Sequence, residues 1–207
     1  MTNPDIVDVQ FALAGQRIPC DHADALWLAL CERLPWLAAE PLVGVHPLAG
    51  LSPGEDCWYL SRRSRLTLRL AAERAPEARA LVGATLTFGD AALQVGAATQ
   101  RPLRAVPVLY AKFVSYGGAI DVPIGEAAFH DACRAELADL GMSPRLFCGK
   151  ARQAHTAAGL ISGFSLMLLD LSEEHNLTIQ RQGLGGERQR GCGIFVPHKS
   201  MAPPPER

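Results

Sequence analysis

Near its C-terminus the chain reads Gly183-Leu184-Gly185-Gly186-Glu187-Arg188-Gln189-Arg190-Gly191-Cys192-Gly193-Ile194-Phe195, with five glycines within eleven positions. Glycine lets the backbone N–H groups of a loop approach a chain of phosphates closely, and Arg188 and Arg190 add positive charge there. The stretch is not a nucleotide P-loop, because no G-K-[ST] follows it and because it lies between a predicted helix and a predicted strand. It predicts either a loop that binds a phosphate chain or a flexible turn.

The residues from 107 onward predict the element order of a ferredoxin-like unit, β-α-β-β-α-β. The clearest patterns are a long apolar strand and a helix that ends at Gly141. The predicted elements are a strand over 108–115, a helix over 126–140, an irregular basic segment over 143–158, a strand over 160–171, a short helix from 172 and a strand over 194–196.

The first hundred residues predict the same order. Asp21 is expected to cap the first helix, and the third strand to place its leucines on one face and Thr67 and Arg69 on the other. The predicted elements are a strand over 6–13, a helix from 21 to about 37, strands over 42–46 and 58–70, a short helix over 76–81 and a hairpin of 85–88 with 92–95.

These two orders predict the fold class, α+β with two tandem ferredoxin-like (βαββαβ, RRM-like) units. The N-terminal domain is expected at 1–97 and the C-terminal domain, with the glycine-rich stretch, at 107–207. Residues 98–106 are expected to form a linker or a crossing strand, since prolines occur at 102 and 107.

Composition limits the class of protein. A hydrophobic content of 48% in 207 residues excludes a disordered chain. No apolar run approaches the roughly 20 residues of a membrane helix, and the N-terminus lacks the pattern of a secretory signal. The six cysteines are scattered without a C-x-x-C pair, which argues against a zinc site and a disulfide framework. We expect a cytoplasmic protein with no membrane partner.

The distribution of charge is more informative than the net charge of −1. Residues 1–56 contain two basic and eight acidic residues, so the rest of the chain carries a net charge of +5. Basic clusters are typical of nucleic-acid partners but also of solvated faces, and composition leaves both interpretations open. The clusters are Arg62 with Arg63 and Arg65, Arg101 with Arg104, Lys150 with Arg152, and Arg188 with Arg190.

Four stretches resemble one family. The pattern G-L-G-G-x-R-x-x-G-C-G-x-F closely resembles the C-terminal loop of the CRISPR-associated repeat-cleaving endoribonucleases, the sixth Cas family. Three other stretches, with Arg101-Pro102-Leu103, extend the resemblance toward the subtype named MYXAN over most of the chain. They are Asp21-His22-Ala23-Asp24-Ala25-Leu26, Gly44-Val45-His46-Pro47-Leu48-Ala49-Gly50 and Ser64-Arg65-Leu66-Thr67-Leu68-Arg69. The family is richer in arginine between 144 and 156.

The resemblance implies two ferredoxin-like domains and a metal-independent endoribonuclease. In its reaction the 2′-hydroxyl of the RNA attacks the adjacent phosphate, leaving a 2′,3′-cyclic phosphate and a 5′-hydroxyl. The reaction needs no cofactor, but it needs a base, an acid and positive charge near the phosphorane. The implied partners are a CRISPR repeat RNA, expected to form a stem-loop, and other Cas subunits of an effector complex that retains the product.

Histidine suits the acid and base roles because its pKa lies near neutrality. The first two strands of a β-α-β-β-α-β unit run parallel, so His22 at the start of the first helix and His46 at the end of the second strand are expected at one edge. With the resemblance they are the preferred catalytic pair, in either role. Without it, a structural role is favoured for each, His22 as a surface neighbour of the helix cap and His46 as a strand-end histidine bonded to the backbone.

Other residues are weaker catalytic candidates. His155, in the basic segment, is the alternative histidine. Tyr110 and Lys112 are further candidates for the acid and base roles, because relatives also use tyrosine, lysine or serine in them. The histidines expected on the surface or a helix face are His130, His175 and His198.

RNA binding is expected to depend on arginines that match the phosphates and 2′-hydroxyls of an A-form stem. The aromatic content of 6% is low and no R-G-F-x-F motif occurs, so recognition of hairpin shape is favoured over base stacking. The expected RNA-binding residues are Arg62, Arg63, Arg65, Lys150, Arg152, Gly183, Gly185, Gly186, Arg188 and Arg190.

Three alternatives remain. A repeat-binding subunit that no longer cuts is disfavoured by the two histidines. A structural subunit of a CRISPR complex is disfavoured by the glycine-rich stretch. An unrelated metabolic protein of ferredoxin-like fold would leave the four matching stretches to coincidence.

Overall fold

Two antiparallel sheets with their helices confirm the predicted α+β class and the two tandem ferredoxin-like units. The computed structural model describes residues 5–55, 57–116, 123–156 and 159–198. Within these ranges no helix has both the length and the apolar character needed to cross a bilayer.

The N-terminal unit has one large sheet and one small sheet. Its strands are β1 (Ile6–Ala14), β2 (Arg17–Pro19), β3 (Gly44–Val45), β4 (Ser52–Pro53), β5 (Cys57–Tyr59), β6 (Arg65–Ala71), β7 (Thr85–Phe88) and β8 (Ala91–Pro102). Its helices are α1 (Ala23–Arg33), α2 (Ala75–Ala78) and 3₁₀ turns at Pro35–Ala39, Ala72–Arg74 and Arg79–Leu81. The large sheet has the order β3-β6-β1-β8-β7, which is the ferredoxin-like order with β7 added, and β2, β5 and β4 form the small sheet.

Alternation along β1 and β6 separates two faces of the large sheet. On one face, Val9 and Phe11 pair with leucines of β6 and belong to one buried core with Leu30 of α1. The opposite face is polar, as predicted, but Arg69 on this face is fully buried instead of solvated.

The C-terminal unit repeats the order. Its elements are β9 (Val108–Ser115), α3 (Glu126–Asp139), β10 (Arg145–Thr156), β11 (Gly159–Leu169), α4 (Glu173–Gln182), a 3₁₀ turn at Arg188–Arg190 and β12 (Phe195–Pro197). The sheet order is β10-β11-β9-β12. Phe129, Cys133 and Leu137 of α3, spaced four residues apart, are buried in the core of this unit.

Three predicted elements were wrong. The segment 143–158 is not irregular, because it contains β10, an edge strand paired with β11 along its length. The strand predicted over 58–70 is two strands, β5 and β6, in different sheets. Asp21 does not cap α1: His22 occupies the N-cap position, with no side-chain cap bond.

The connection between the units is shorter than expected. β8 extends to Pro102, which pairs with Val7, so the first half of the stretch 98–106 is strand. Side chains of α4 form hydrogen bonds with the remaining residues, 103–106. Asn176 Nδ2 donates to Val106 O at 2.6 Å, and Gln180 Nε2 donates to Arg104 O at 2.8 Å. The domain bounds themselves stay a prediction.

One buried arginine joins the two units. Nε and Nη2 of Arg69 donate to the two oxygens of Asp8 at 2.8 and 3.0 Å. Nη1 donates to the backbone oxygens of Gln180 in α4 and Phe195 in β12, at 2.9 and 2.7 Å. A buried guanidinium is costly unless its donors are satisfied. Since partners from both units satisfy these donors, they fix the position of one sheet relative to the other.

We expect Arg69→Ala to lower the free energy of unfolding by about 3–5 kcal/mol, because it leaves a largely buried carboxylate and two carbonyls without their donor. Denaturant unfolding of the whole chain measures this loss. Arg17→Ala is the control, because the Arg17–Asp90 pair is 58% and 70% exposed and should contribute only about 0–1 kcal/mol. Equal losses of unfolding free energy in the two variants would contradict the role of Arg69 in joining the two units.

Candidate active site

A cavity of about 420 Å³ lies between the two units. The N-terminal unit contributes the start of α1 and the segment 47–51, and the C-terminal unit contributes parts of β9, β10 and the glycine-rich stretch. Its charged and imidazole side chains are Asp21, His22, Lys112, Arg152, His155 and Arg190. The cavity thus combines positive charge with two imidazole side chains.

The His22 ring is held through Nδ1, which lies 2.9 Å from Pro19 O and 3.1 Å from Cys20 O. A carbonyl oxygen only accepts, so Nδ1 carries the hydrogen and Nε2 of the neutral ring has a lone pair. Burial lowers the pKa of His22; the two carbonyls oppose this effect, and the positive charge of Lys112 adds to it. The ring is therefore neutral near pH 7 and can accept a proton at Nε2.

Two cations reach the cavity from the C-terminal sheet, Lys112 on β9 and Arg152 on β10. Burial and then the charge of Arg152 lower the pKa of Lys112. Nε of Arg152 is buried and has no hydrogen-bond partner among the described residues. A buried donor of this kind next to a lysine suits an anionic oxygen, such as that of a phosphate.

His155 and Asp21 form a hydrogen-bonded pair between the units, with His155 Nδ1 at 3.1 Å from Asp21 Oδ2. The side chain of His155 is 74% exposed, so this pair lies at the open side of the cavity. Sequence reasoning missed the role of Asp21, since it assigned this residue to the helix cap.

His46 does not line the cavity. Its Nε2 lies 3.2 Å from Asp8 Oδ1, on the sheet face that carries Arg69. Burial lowers the pKa of His46, although Asp8 opposes this. Burial would raise the pKa of Asp8, but hydrogen bonds from His46 and Arg69 hold it well below its usual range. The structure does not bring His22 and His46 together, because His46 lies on the face that meets the other unit.

The basic turn between β5 and β6 lies beside the cavity. Gly50 lines the cavity, and its Cα is so close to the backbone of Arg63 that an added Cβ would lie 2.8 Å from it. Arg62 and Arg63 are exposed there, as is Lys150 on β10. The Arg65 guanidinium is hydrogen-bonded within the turn, because its Nη1 donates to Arg62 O at 2.8 Å and to Ser64 O at 2.7 Å.

The glycine-rich stretch packs against the protein. Gly185 N–H donates to Glu136 Oε2 at 2.9 Å, and Gly186 N–H donates to Ser115 O at 3.0 Å. Gly183 and Gly185 have φ of +76° and +69°, and a Cβ at Gly185 would lie 2.2 Å from Ser115 O. Gly185 therefore allows close approach to β9, and Gly183 allows close approach to Gly193 O, which an added Cβ would meet at 2.3 Å. The amides of Gly185 and Gly186 already have partners within the protein, and RNA binding by this stretch stays a prediction.

Arg188 and Arg190 have different surroundings. Arg188 is 8% exposed, burial lowers its pKa to about 10, and its Nη2 donates to Arg181 O at 3.0 Å. Arg188 is thus largely buried, its Nε and Nη1 have no hydrogen-bond partner among the described residues, and its contact with RNA stays a prediction. Arg190 lines the cavity and is bonded to Asp24 and Glu187.

The other candidates lie outside the cavity. The Tyr110 ring packs on His198 with ring centres 5.4 Å apart, His130 accepts a hydrogen bond from Arg134 on α3, and His175 is on α4. In the described part of the chain, no three His, Cys, Asp or Glu side chains are grouped so that they could hold a metal ion.

Comparison with known proteins gives one consistent family. The family model described as Cas6 Crispr matches residues 7–200. The CRISPR-associated endonuclease Cas6 of Myxococcus xanthus (strain DK1622) is 37% identical over 191 residues, which are 92% of this chain and 81% of that protein.

Solved structures share the fold. One described as CRISPR associated protein Cas6 has a TM-score of 0.67 and 11% identity, over 95% of this chain and 100% of that chain. One from a Cas6-related gene of Pyrococcus furiosus has a TM-score of 0.65 and 12% identity, over 92% and 98%.

Proposed function

The chain belongs to the Cas6 family, and on that premise we propose that it is an endoribonuclease that cuts CRISPR repeat RNA in the cavity around His22. The main support is the His22 ring, whose Nδ1 is bonded to two carbonyls and whose neutral form is favoured by burial. The cut uses the 2′-hydroxyl of the RNA, without a metal ion or cofactor, in the cytoplasm.

The proposed reaction begins when His22 Nε2 accepts the proton of the 2′-hydroxyl. The 2′-oxygen bonds to the adjacent phosphorus and the bond to the 5′-oxygen breaks, which gives a 2′,3′-cyclic phosphate and a 5′-hydroxyl. General base catalysis of this kind contributes about 10²–10⁴-fold. Because the nucleophile belongs to the RNA, no bound water has to be activated, and activating water is a common task of a catalytic metal.

Lys112 and Arg152 are proposed to stabilise the phosphorane. Both line the cavity with His22, and the unpartnered Nε of Arg152 is a fixed donor for a phosphate oxygen. Donors that are already in place cost no reorganisation when negative charge develops in the transition state.

The RNA stem is proposed to bind the exposed basic residues at the cavity margin. Arg62 and Arg63 are exposed in the turn that packs on Gly50, and Lys150 is exposed on β10, two residues before Arg152; such residues fit the phosphates of an A-form helix. The product stays bound and enters an effector complex with other Cas subunits.

The test is cleavage of the cognate repeat RNA in EDTA, with the 3′ end of the product mapped. Wild type should cut once and leave a cyclic phosphate. His22→Ala should lower the single-turnover rate by about 10²-fold or more, because the 2′-hydroxyl loses its base. His46→Gln should cut normally, because glutamine keeps a donor for Asp8 but cannot exchange a proton.

If His46→Gln loses activity and His22→Ala cuts normally, the active site is at His46. Tight binding by wild type without any cut would favour the alternative function, a catalytically silent repeat-binding subunit. Absence of binding would overturn the proposal.

The pH profile of kcat/KM should show the lowered pKa of His22. The base must be neutral, so activity should fall as pH falls through the pKa of His22, which lies below 6.5. Lys112→Met removes a positive charge that lowers this pKa, so the acid limb should move to higher pH. Lys112→Arg keeps the charge and should leave the limb in place. An unmoved limb in Lys112→Met would contradict His22 as the base.

A further inference from the structure

We propose that His155, held by Asp21, is the general acid that protonates the leaving 5′-oxygen. This inference rests on the proposed function, since it assigns the second proton transfer of the same reaction. It requires two imidazoles at one cavity with different partners, and the structure has this arrangement.

Both histidines line the cavity, and each is held through Nδ1. Nδ1 of His22 is bonded to two neutral carbonyls, whereas Nδ1 of His155 is bonded to the Asp21 carboxylate. In each ring Nε2 has no hydrogen-bond partner among the described residues. Each Nε2 is therefore available to exchange a proton with a substrate.

The partners assign the roles. The two carbonyls accept from Nδ1–H of His22 and leave the Nε2 lone pair of the neutral ring open to a proton, which suits a base. A general acid carries hydrogens on both ring nitrogens, and the Asp21 carboxylate can accept the one on His155 Nδ1 while Nε2 donates to the leaving 5′-oxygen. Asp21 is thus a positioning residue that acts through His155.

The two histidines come from different units. His22 lies at the start of α1, and His155 lies on β10 of the C-terminal unit. An in-line displacement needs the attacking and leaving oxygens on opposite sides of the phosphorus. An RNA bound between the units would have His22 of one unit and His155 of the other beside it, with Lys112 and Arg152 available to the phosphate.

The proton balance is complete. His22 Nε2 takes the 2′-hydroxyl proton as the O2′–P bond forms. The P–O5′ bond breaks and the 5′-oxygen takes the proton from His155 Nε2. The cycle leaves His22 as imidazolium and His155 neutral, and exchange with water restores both.

A 5′-bridging sulfur at the scissile phosphate tests this role, because a thiolate leaves without protonation. Single-turnover rates are measured at saturating enzyme for the all-oxygen and the sulfur repeat RNA. His155→Ala should cut the all-oxygen RNA about 10²-fold more slowly than wild type and the sulfur RNA at nearly the wild-type rate. Asp21→Asn should show the same pattern with a smaller loss. His22→Ala should be slow on both RNAs, and the surface control His175→Ala normal on both.

The inference is overturned if His155→Ala cuts the all-oxygen RNA at the wild-type rate. It is also overturned if that variant is equally slow on both RNAs, which is the pattern of a residue that only orders the RNA or the fold. Rescue by sulfur in Lys112→Met instead of His155→Ala would assign the acid to Lys112. If wild type cuts neither RNA, the proposed function fails and this inference with it.

Discussion

The guanidinium of Arg69 is the interaction on which the rest of the site depends. It is fully buried, and it bonds a carboxylate of its own sheet and two backbone oxygens of the other unit. Neither unit alone contains the cavity, because His22 and Asp21 come from the first and Lys112, Arg152 and His155 from the second. The geometry of the site therefore depends on how the two units are docked, and Arg69 fixes that docking.

The close docking of the two units also explains why glycine occurs in the glycine-rich stretch and at Gly44, which packs against it. Gly44 of β3 has no room for a side chain, because a Cβ there would lie 2.4 Å from Ile194 Cδ1. Gly185 is similarly constrained against Ser115. The glycines at these two positions allow the loop to pack against both units while Arg190 reaches the cavity. Close packing therefore accounts for the glycines at these two positions.

Much of the fold followed from local patterns. The strand predicted over 108–115 has the observed bounds, and α3 ends one residue from its predicted end. β10 was missed because none of its residues is buried, so only its pairing with β11 makes it a strand. The site predictions were incomplete for the same reason, because they too depend on contacts between residues distant in the sequence. The position of His22 follows from the start of a helix, but the surroundings of His46, Arg188 and Asp21 depend on contacts between the units.

The central claim is that the cut occurs between the units, at His22. A crystal structure with repeat RNA that has a 2′-deoxy nucleotide before the scissile phosphate tests it most directly, since that RNA binds but cannot be cut. The account predicts the scissile phosphate within about 3 Å of donors on Lys112 or Arg152, with the deoxy C2′ facing His22 Nε2. A scissile phosphate outside the cavity, or one beside His46, would contradict it.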